Sequence, residues 1–432
     1  MSAPAPGALP LRVSAAGWRG LVILLCMTAL SFAFYGFALD NPFWHAEDFN
    51  FLGAARDIAG QPGLLFELDA AERHHPVPLA LFALLYTWFD FAPAGYYAAN
   101  LVIHALNAYL VFALVLAFVP DRRIAVLSGV LFVCGVGSYG KAVLFVGGLE
   151  NLFITFLYLS ILNLYIRNDR WHGGRIFSWT YGFVIALFLV TSYAKPTAFS
   201  LVGGLLAYKV FFRGERERRS FLAPNLLILV GTAVLFWLFR VTSGMVDYSH
   251  ALAGADPWQF TQRFVGNMIN YLIHMFFPIH VSRLVEASHP IVRTIYGFAP
   301  VIRVIIGLFA VSYSVFGFVF GNRTIRFFLS WTFISLIPYC VIQFPADWLN
   351  IRYLYQVSIG FCFILASAVV LSSDLLHRRR WRKYLPYLIP ALFVTLSGLI
   401  ATRLDRKYER EGARLDVEES IQMLRSPQTD GE

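Results

Sequence analysis

Apolar stretches of roughly 20 residues recur along this chain from Leu21 to Ile400, and each is long enough to cross a hydrocarbon layer about 30 Å thick. No soluble domain fits between them. Composition agrees: 58% of the residues are hydrophobic and 14% are charged, where a soluble domain carries about 25% charged residues. The formal net charge of +9 could point to a polyanion, but Arg and Lys fall in short clusters between the apolar runs rather than along one stripe, so topology explains them and no nucleic-acid partner is expected. Cys26, Cys134, Cys340 and Cys362 all lie inside apolar runs, which leaves neither a disulfide framework nor zinc-ligand spacing. The first run lacks a small-residue cleavage site and is expected to be a retained helix rather than a signal peptide.

The basic clusters are Arg122 with Arg123, Arg167 to Arg175, Lys209 to Arg219, Arg323 to Arg326 and Arg378 to Lys383. Short Lys/Arg-rich loops stay cytoplasmic, so all five should share one side and the runs between them should pair. Residues 124–142 pair with 150–167, 176–194 with 197–212, and 327–344 with 353–373. Between Arg219 and Arg323 there are three candidates, 221–240, 263–281 and 294–320. The middle one, with Arg263, Asn267, Asn270, His274, Pro278 and His280, is the most polar and is expected to lie in an outer loop.

With the N-terminus inside near Arg12 and Arg19, the run 20–39 exits, and only one of 76–91 and 96–119 can cross before Arg122. The shorter, which opens Pro76-Val77-Pro78 and holds Asp90, is predicted to be re-entrant or interfacial. The expectation is an all-α polytopic membrane protein with about 11 spanning helices in residues 1–402. Its first outer loop covers about 40–95, and a charged outer-side tail covers 403–432. No internal repeat is visible.

On this layout the charged residues near the helix ends gather on the outer face. Glu47 and Asp48 follow the first helix; Arg73, His74 and His75 close the same loop. Lys141 and Glu150 flank the second outer loop, Lys195 sits in the third, and Arg352 with Tyr353 and Tyr355 in the last. Carboxylates able to deprotonate a hydroxyl, beside cations able to hold a phosphate leaving group, are the minimum needed to move a sugar off a lipid phosphate. Each has a structural alternative. Glu47 and Asp48 would cap a helix starting at Phe49, His74 and His75 would be interfacial residues beside a proline turn, and Lys195 and Arg352 would reach for the headgroups. His104 and Asn107, one turn apart in a spanning run, are expected to make interhelical hydrogen bonds. No histidine spacing supports a metal centre, which leaves a divalent ion an open question and no cofactor assigned.

Glu47-Asp48-Phe49-Asn50-Phe51-Leu52, His75-Pro76-Val77-Pro78-Leu79 and Gly95-Tyr96-Tyr97-Ala98-Ala99-Asn100-Leu101-Val102-Ile103-His104-Ala105-Leu106-Asn107-Ala108 resemble the start of GT-C glycosyltransferases. They are most like bacterial relatives of the protein O-mannosyltransferases and the transmembrane module of the transmembrane-and-tetratricopeptide mannosyltransferases. Later segments keep the order: Val143 to Phe153 is similar to the second outer loop, Ser192-Tyr193-Ala194-Lys195 to a Ser-Lys-Glu segment, and Arg352 to Gly360 to an Arg-Tyr-x-Tyr-x-Pro-Ser-x-Gly segment. The resemblance implies a GT-C fold with short non-spanning helices in the first outer loop. It also implies that Glu47 or Asp48 is the base. Pro196, Ile351, Gln356 and Val357 depart from the pattern and point to a divergent substrate.

The reading is therefore an inverting, polyprenyl-phosphate-sugar-dependent glycosyltransferase of the bacterial inner membrane, its N-terminus cytoplasmic and its C-terminus periplasmic. Its donor would be a polyprenyl-phosphate-linked sugar drawn from the membrane lipid, with the phosphate held by Arg73, Lys195 and Arg352, and its acceptor a protein or glycan hydroxyl. No glycine-rich phosphate loop joined to a strand is present, so no nucleotide is expected at the site. The rival is a transporter or flippase of a lipid-linked saccharide, which would usually show inverted repeats and broken helices in both halves.

Overall fold

The computed structural model describes residues 16–43, 46–66, 76–135, 140–171, 175–212, 224–242, 256–276, 299–341, 350–376 and 382–412. Its regular structure there is helical. The first part comprises α1 (Ala16–Tyr35), α2 (Ala46–Gly60), α3 (Pro76–Phe89), α4 (Pro93–Phe118) and α5 (Arg122–Cys134). Next come α6 (Gly140–Val143), α7 (Leu149–Trp171), α8 (Trp179–Ala194), α9 (Ser200–Phe212) and α10 (Pro224–Thr242). The chain closes with α11 (Pro257–Phe276), α12 (Ala299–Phe320), α13 (Arg323–Cys340), α14 (Leu354–Leu375) and α15 (Leu388–Gly412). Four stretches are long and apolar enough to cross a membrane, Trp18–Asp40, Pro93–Phe118, Val146–Arg170 and Ile351–Leu375. Six shorter apolar helices accompany them.

The centre of the bundle is α4, which packs against α1, α5 and α7, while α14 packs against α5, α7 and α13. Polar residues inside these helices find partners across helix boundaries, as buried polar groups must. Asn107 donates to the Leu152 carbonyl at 2.8 Å and to the Tyr355 hydroxyl at 3.1 Å. His104 bonds the same hydroxyl at 2.8 Å and the Val133 carbonyl at 3.0 Å. Both residues are therefore interhelical ties, as expected. Gly360 is needed where α14 meets α13, because a Cβ there would overlap the Phe328 carbonyl and the Thr332 hydroxyl.

The apolar surface left on α12, with Val304, Ile305, Leu308 and Phe316 each more than half exposed, is what a lipid-facing helix presents. At 14 residues, α3 is about 21 Å long. It packs mainly on α2, with further contacts to α8, α4 and α7. The chain then reverses at Asp90, which adopts a left-handed φ of 48°, a conformation Asp tolerates better than most residues. Tyr96 closes that turn by donating to the Asp90 carbonyl at 2.9 Å.

One end of the bundle gathers Arg123, Arg170 and Lys209 of the basic clusters. Arg123 at the start of α5 makes a two-pronged contact at 2.8 Å with Asp374 near the end of α14. Phe118 at the end of α4 meets Phe212 from α9 and Phe327 from α13 at ring separations of 4.6 and 4.8 Å, and Arg170 reaches the Ala117 carbonyl. Lys209 and Asp169 pair at 2.6 Å in the same layer. One expectation needs correcting. The helix after the first loop starts at Ala46, not Phe49, so Glu47 and Asp48 occupy its first turn, where the helix dipole favours acids. Helix α15 runs from Leu388 through residue 402 to Gly412, in keeping with the helical character that its alternating charges suggest.

Candidate active site

The opposite end of the bundle brings together residues from four distant parts of the sequence. Glu47 comes from the first turn of α2, Glu150 from the first turn of α7, Lys195 from the residue that ends α8, and Arg352 and Tyr353 from a short 3-10 turn, Ile351–Tyr353. Arg352 Nη1 donates to Glu47 Oε2 at 3.0 Å. Lys195 Nζ lies 3.1 Å from Glu150 Oε1, a charge contact without hydrogen-bond alignment, and 3.4 Å from Asn151 Oδ1.

Both cations face the Tyr353 ring, Lys195 at 5.5 Å and Arg352 at 5.7 Å from its centroid. Tyr353 in turn stacks on Tyr339 of α13 with 4.3 Å between centroids and 10° between planes. Two ion pairs are thus joined through one aromatic ring, an arrangement favoured by the attraction of cations to ring faces.

The two pairs differ in exposure. Glu150 and Lys195 are enclosed, with side chains 7% and 12% exposed, whereas the Glu47 side chain is 41% exposed against 14% for Arg352. Burial by itself pulls the Lys195 ammonium down, but the Glu150 carboxylate, helped by Tyr353 and Tyr339, holds it above the ordinary lysine value. Lys195 is therefore a resident positive charge.

Asp48, beside Glu47 in sequence, is fully buried. Its Oδ1 accepts from the Gly147 amide at 3.4 Å, in the turn that leads into Glu150. That turn needs glycine at 148, since a Cβ there would overlap the Ala142 carbonyl. Lys141 belongs to α6, which packs against the 351–353 turn, and its ammonium sits 5.1 Å from the Phe145 ring centroid.

Tyr355 is reached from the same cleft, but its hydroxyl is turned into the bundle toward His104 and Asn107. Arg73, His74 and His75 lie outside the described residues. Among the described residues no group of three or more metal-ligand side chains forms a cation site.

Sequence reasoning missed Asn151, Tyr339 and Gln356, which line the cleft between Lys195 and Arg352. Asn151 was signalled only by its place next to Glu150, and Gln356 only by its place between Tyr355 and Val357, the latter standing where the resembling family has proline. Tyr339 ends an apolar run and looked like any interfacial aromatic.

This helical arrangement is shared with solved structures. The chain is similar to the archaeal oligosaccharyltransferase AglB from Archaeoglobus fulgidus in complex with an inhibitory peptide and a dolichol-phosphate. The TM-score is 0.53 with 13% identity over 97% of this chain and 61% of that one. The chain shares the fold of that oligosaccharyltransferase.

A second structure, the Archaeoglobus fulgidus oligosaccharyltransferase in complex with zinc and sulfate, gives a TM-score of 0.52 at 15% identity, covering 95% of this chain and 58% of that one. The chain thus spans roughly three fifths of the length of the proteins it matches. No protein-family model and no curated protein matches it. At these identities the likeness extends to the fold, and the narrower resemblance to O-mannosyltransferase relatives rests on the motifs alone.

Proposed function

We propose that this chain is a glycosyltransferase that moves a sugar from a polyprenyl-phosphate-linked donor to a hydroxyl of an envelope acceptor, protein or glycan, at the periplasmic face of a bacterial inner membrane. The observation that carries the reading is the pair of cations on Tyr353, one of them bound to the half-exposed carboxylate of Glu47. A base and a seat for an anionic leaving group stand side by side. The AglB complex with dolichol-phosphate and a peptide supports a lipid phosphate as the donor's carrier and a protein as one kind of acceptor. The layout of about 11 spans, with α2 and α3 in the first outer loop, belongs to the same proposal.

In the proposed reaction Glu47 takes the proton of the acceptor hydroxyl as its oxygen bonds to the anomeric carbon. The bond from that carbon to the phosphate oxygen breaks with its electron pair staying on the phosphate, and the configuration inverts. The polyprenyl phosphate so released gains negative charge beside Lys195 and Arg352, where charge-assisted hydrogen bonds are strongest. Glu47 is favoured over Asp48 because it is reachable from solvent, whereas Asp48 is sealed beneath the 146–148 turn and serves to place that turn.

The test is transfer by the purified protein from a polyprenyl-phosphate-linked sugar to hydroxyl acceptors from the envelope. The reading expects release of free polyprenyl phosphate coupled to acceptor glycosylation. Movement of intact donor across a bilayer without bond cleavage would overturn it in favour of a transporter.

A further inference from the structure

The cleft behind the two ion pairs holds a set of hydrogen-bond donors that the fold itself leaves unused. Asn151 on α7 and Gln356 on α14 are 6% and 5% exposed, and both line this cleft. The Asn151 side-chain nitrogen has no partner although its oxygen faces Lys195. The Gln356 amide has the Tyr158 hydroxyl as a neighbour, yet its nitrogen has no acceptor in hydrogen-bond geometry. Arg352 is used on one side only: Nη1 holds Glu47 while Nε, also buried, has no acceptor. A buried donor left without a partner is costly, so a group of three in one cleft marks a place where a ligand supplies acceptors. The missing ligand atoms are oxygens with lone pairs and no protons, and Lys195, although paired with Glu150 at 3.1 Å, together with Arg352 favours an anion over a neutral ligand there.

We propose that Asn151 and Gln356, with Arg352 Nε and Lys195, form a subsite for the phosphate of the lipid-linked donor, with the stacked Tyr339 and Tyr353 as its wall. This rests on the glycosyltransferase reading above and adds the two amides to it. It gives Arg352 a double role, because one edge of its guanidinium positions the Glu47 carboxylate while the other meets the phosphate. Base and leaving group are then held by a single planar group.

The test compares binding of two probes to the full chain in lipid nanodiscs, a short-chain polyprenyl phosphate and the corresponding uncharged polyprenol. The parent is expected to prefer the phosphate. Asn151→Leu and Gln356→Leu should each weaken phosphate binding about tenfold and leave polyprenol binding unchanged. Asn151→Asp and Gln356→Glu, near-isosteric but negatively charged, should weaken it further, and they carry the test if a leucine variant fails to fold. Phosphate binding like the parent's in the folded Asp and Glu variants would overturn the amide subsite while leaving the glycosyltransferase reading in place. A parent that does not distinguish the phosphate from the polyprenol would overturn both.

Discussion

Replacing Glu47 by Gln is the most direct test of the chemistry, because the structure separates what this change removes from what it keeps. Gln retains an oxygen for Arg352 Nη1, which now holds Glu47 Oε2 at 3.0 Å, and the side chain is 41% exposed. The stability cost should be at most about 1 kcal/mol, the ceiling for a solvent-screened pair. An amide cannot take a hydroxyl proton. Loss of a general base costs about 10²–10⁴ in rate, or about 3–6 kcal/mol of barrier at about 1.4 kcal/mol per decade.

The neighbouring acid gives the internal control. Asp48→Asn keeps an acceptor for the Gly147 amide, a long contact at 3.4 Å, so turnover should fall by less than about tenfold. Asp48→Leu removes the acceptor and should cost about 1–3 kcal/mol of stability. Purified variants would be followed by release of labelled sugar from a polyprenyl-phosphate donor with acceptor present, beside a thermal-unfolding measurement. Full turnover in Glu47→Gln with a dead but folded Asp48→Asn would transfer the base to Asp48. Near-normal turnover in both single variants and in the double variant would remove the acidic pair from the mechanism.

Three further outcomes are expected. Lys209→Met leaves Asp169, with 5% of its side chain exposed, buried without its cation, and should cost about 3–5 kcal/mol, read as a lower unfolding temperature with transfer per folded molecule unchanged. Gly148→Ala should reduce transfer by tenfold or more because its Cβ would overlap the Ala142 carbonyl, while Gly231→Ala, with open space around it, should behave like the parent. In a Cys26→Ala background, Gln61→Cys should react with an impermeant thiol reagent added from outside and Arg122→Cys should not, both positions being exposed in the structure; the reverse pattern would invert the topology.

Much of this arrangement was legible in the sequence because membrane folding leaves few options. A charge among apolar runs must find a partner, a cavity or an interface, so marking Glu47, Glu150, Lys195 and Arg352 as residues of one face followed from where the basic clusters lay. Their pairing was not legible. Nothing in the spacing says that Arg352 meets Glu47, 305 positions away, rather than Glu150, since that choice depends on how α14 docks between α5, α7 and α13. Asp48 illustrates the same limit: adjacent carboxylates read as equivalents in sequence, but successive positions on a helix point about 100° apart, which leaves one half-exposed and seals the other.

Helix α7 carries this reasoning one step further. It bears Glu150 in its first turn and Asp169 near its end, and a rise of 1.5 Å per residue puts the two carboxylates about 28 Å apart along the axis. That separation is close to the hydrocarbon thickness of about 30 Å. Both carboxylates are buried and each holds a lysine, Glu150 with Lys195 and Asp169 with Lys209, so one helix carries a neutralised charged layer at either end and an apolar stretch between. On the proposed topology those layers would fall at the levels of the two headgroup regions, where lipid phosphates also lie. A lipid-linked donor would then reach Lys195 and Arg352 without drawing its phosphate into hydrocarbon. A hydroxyl acceptor would approach the half-exposed side of Glu47 from water, so that the two reactants meet across Tyr353 from different phases.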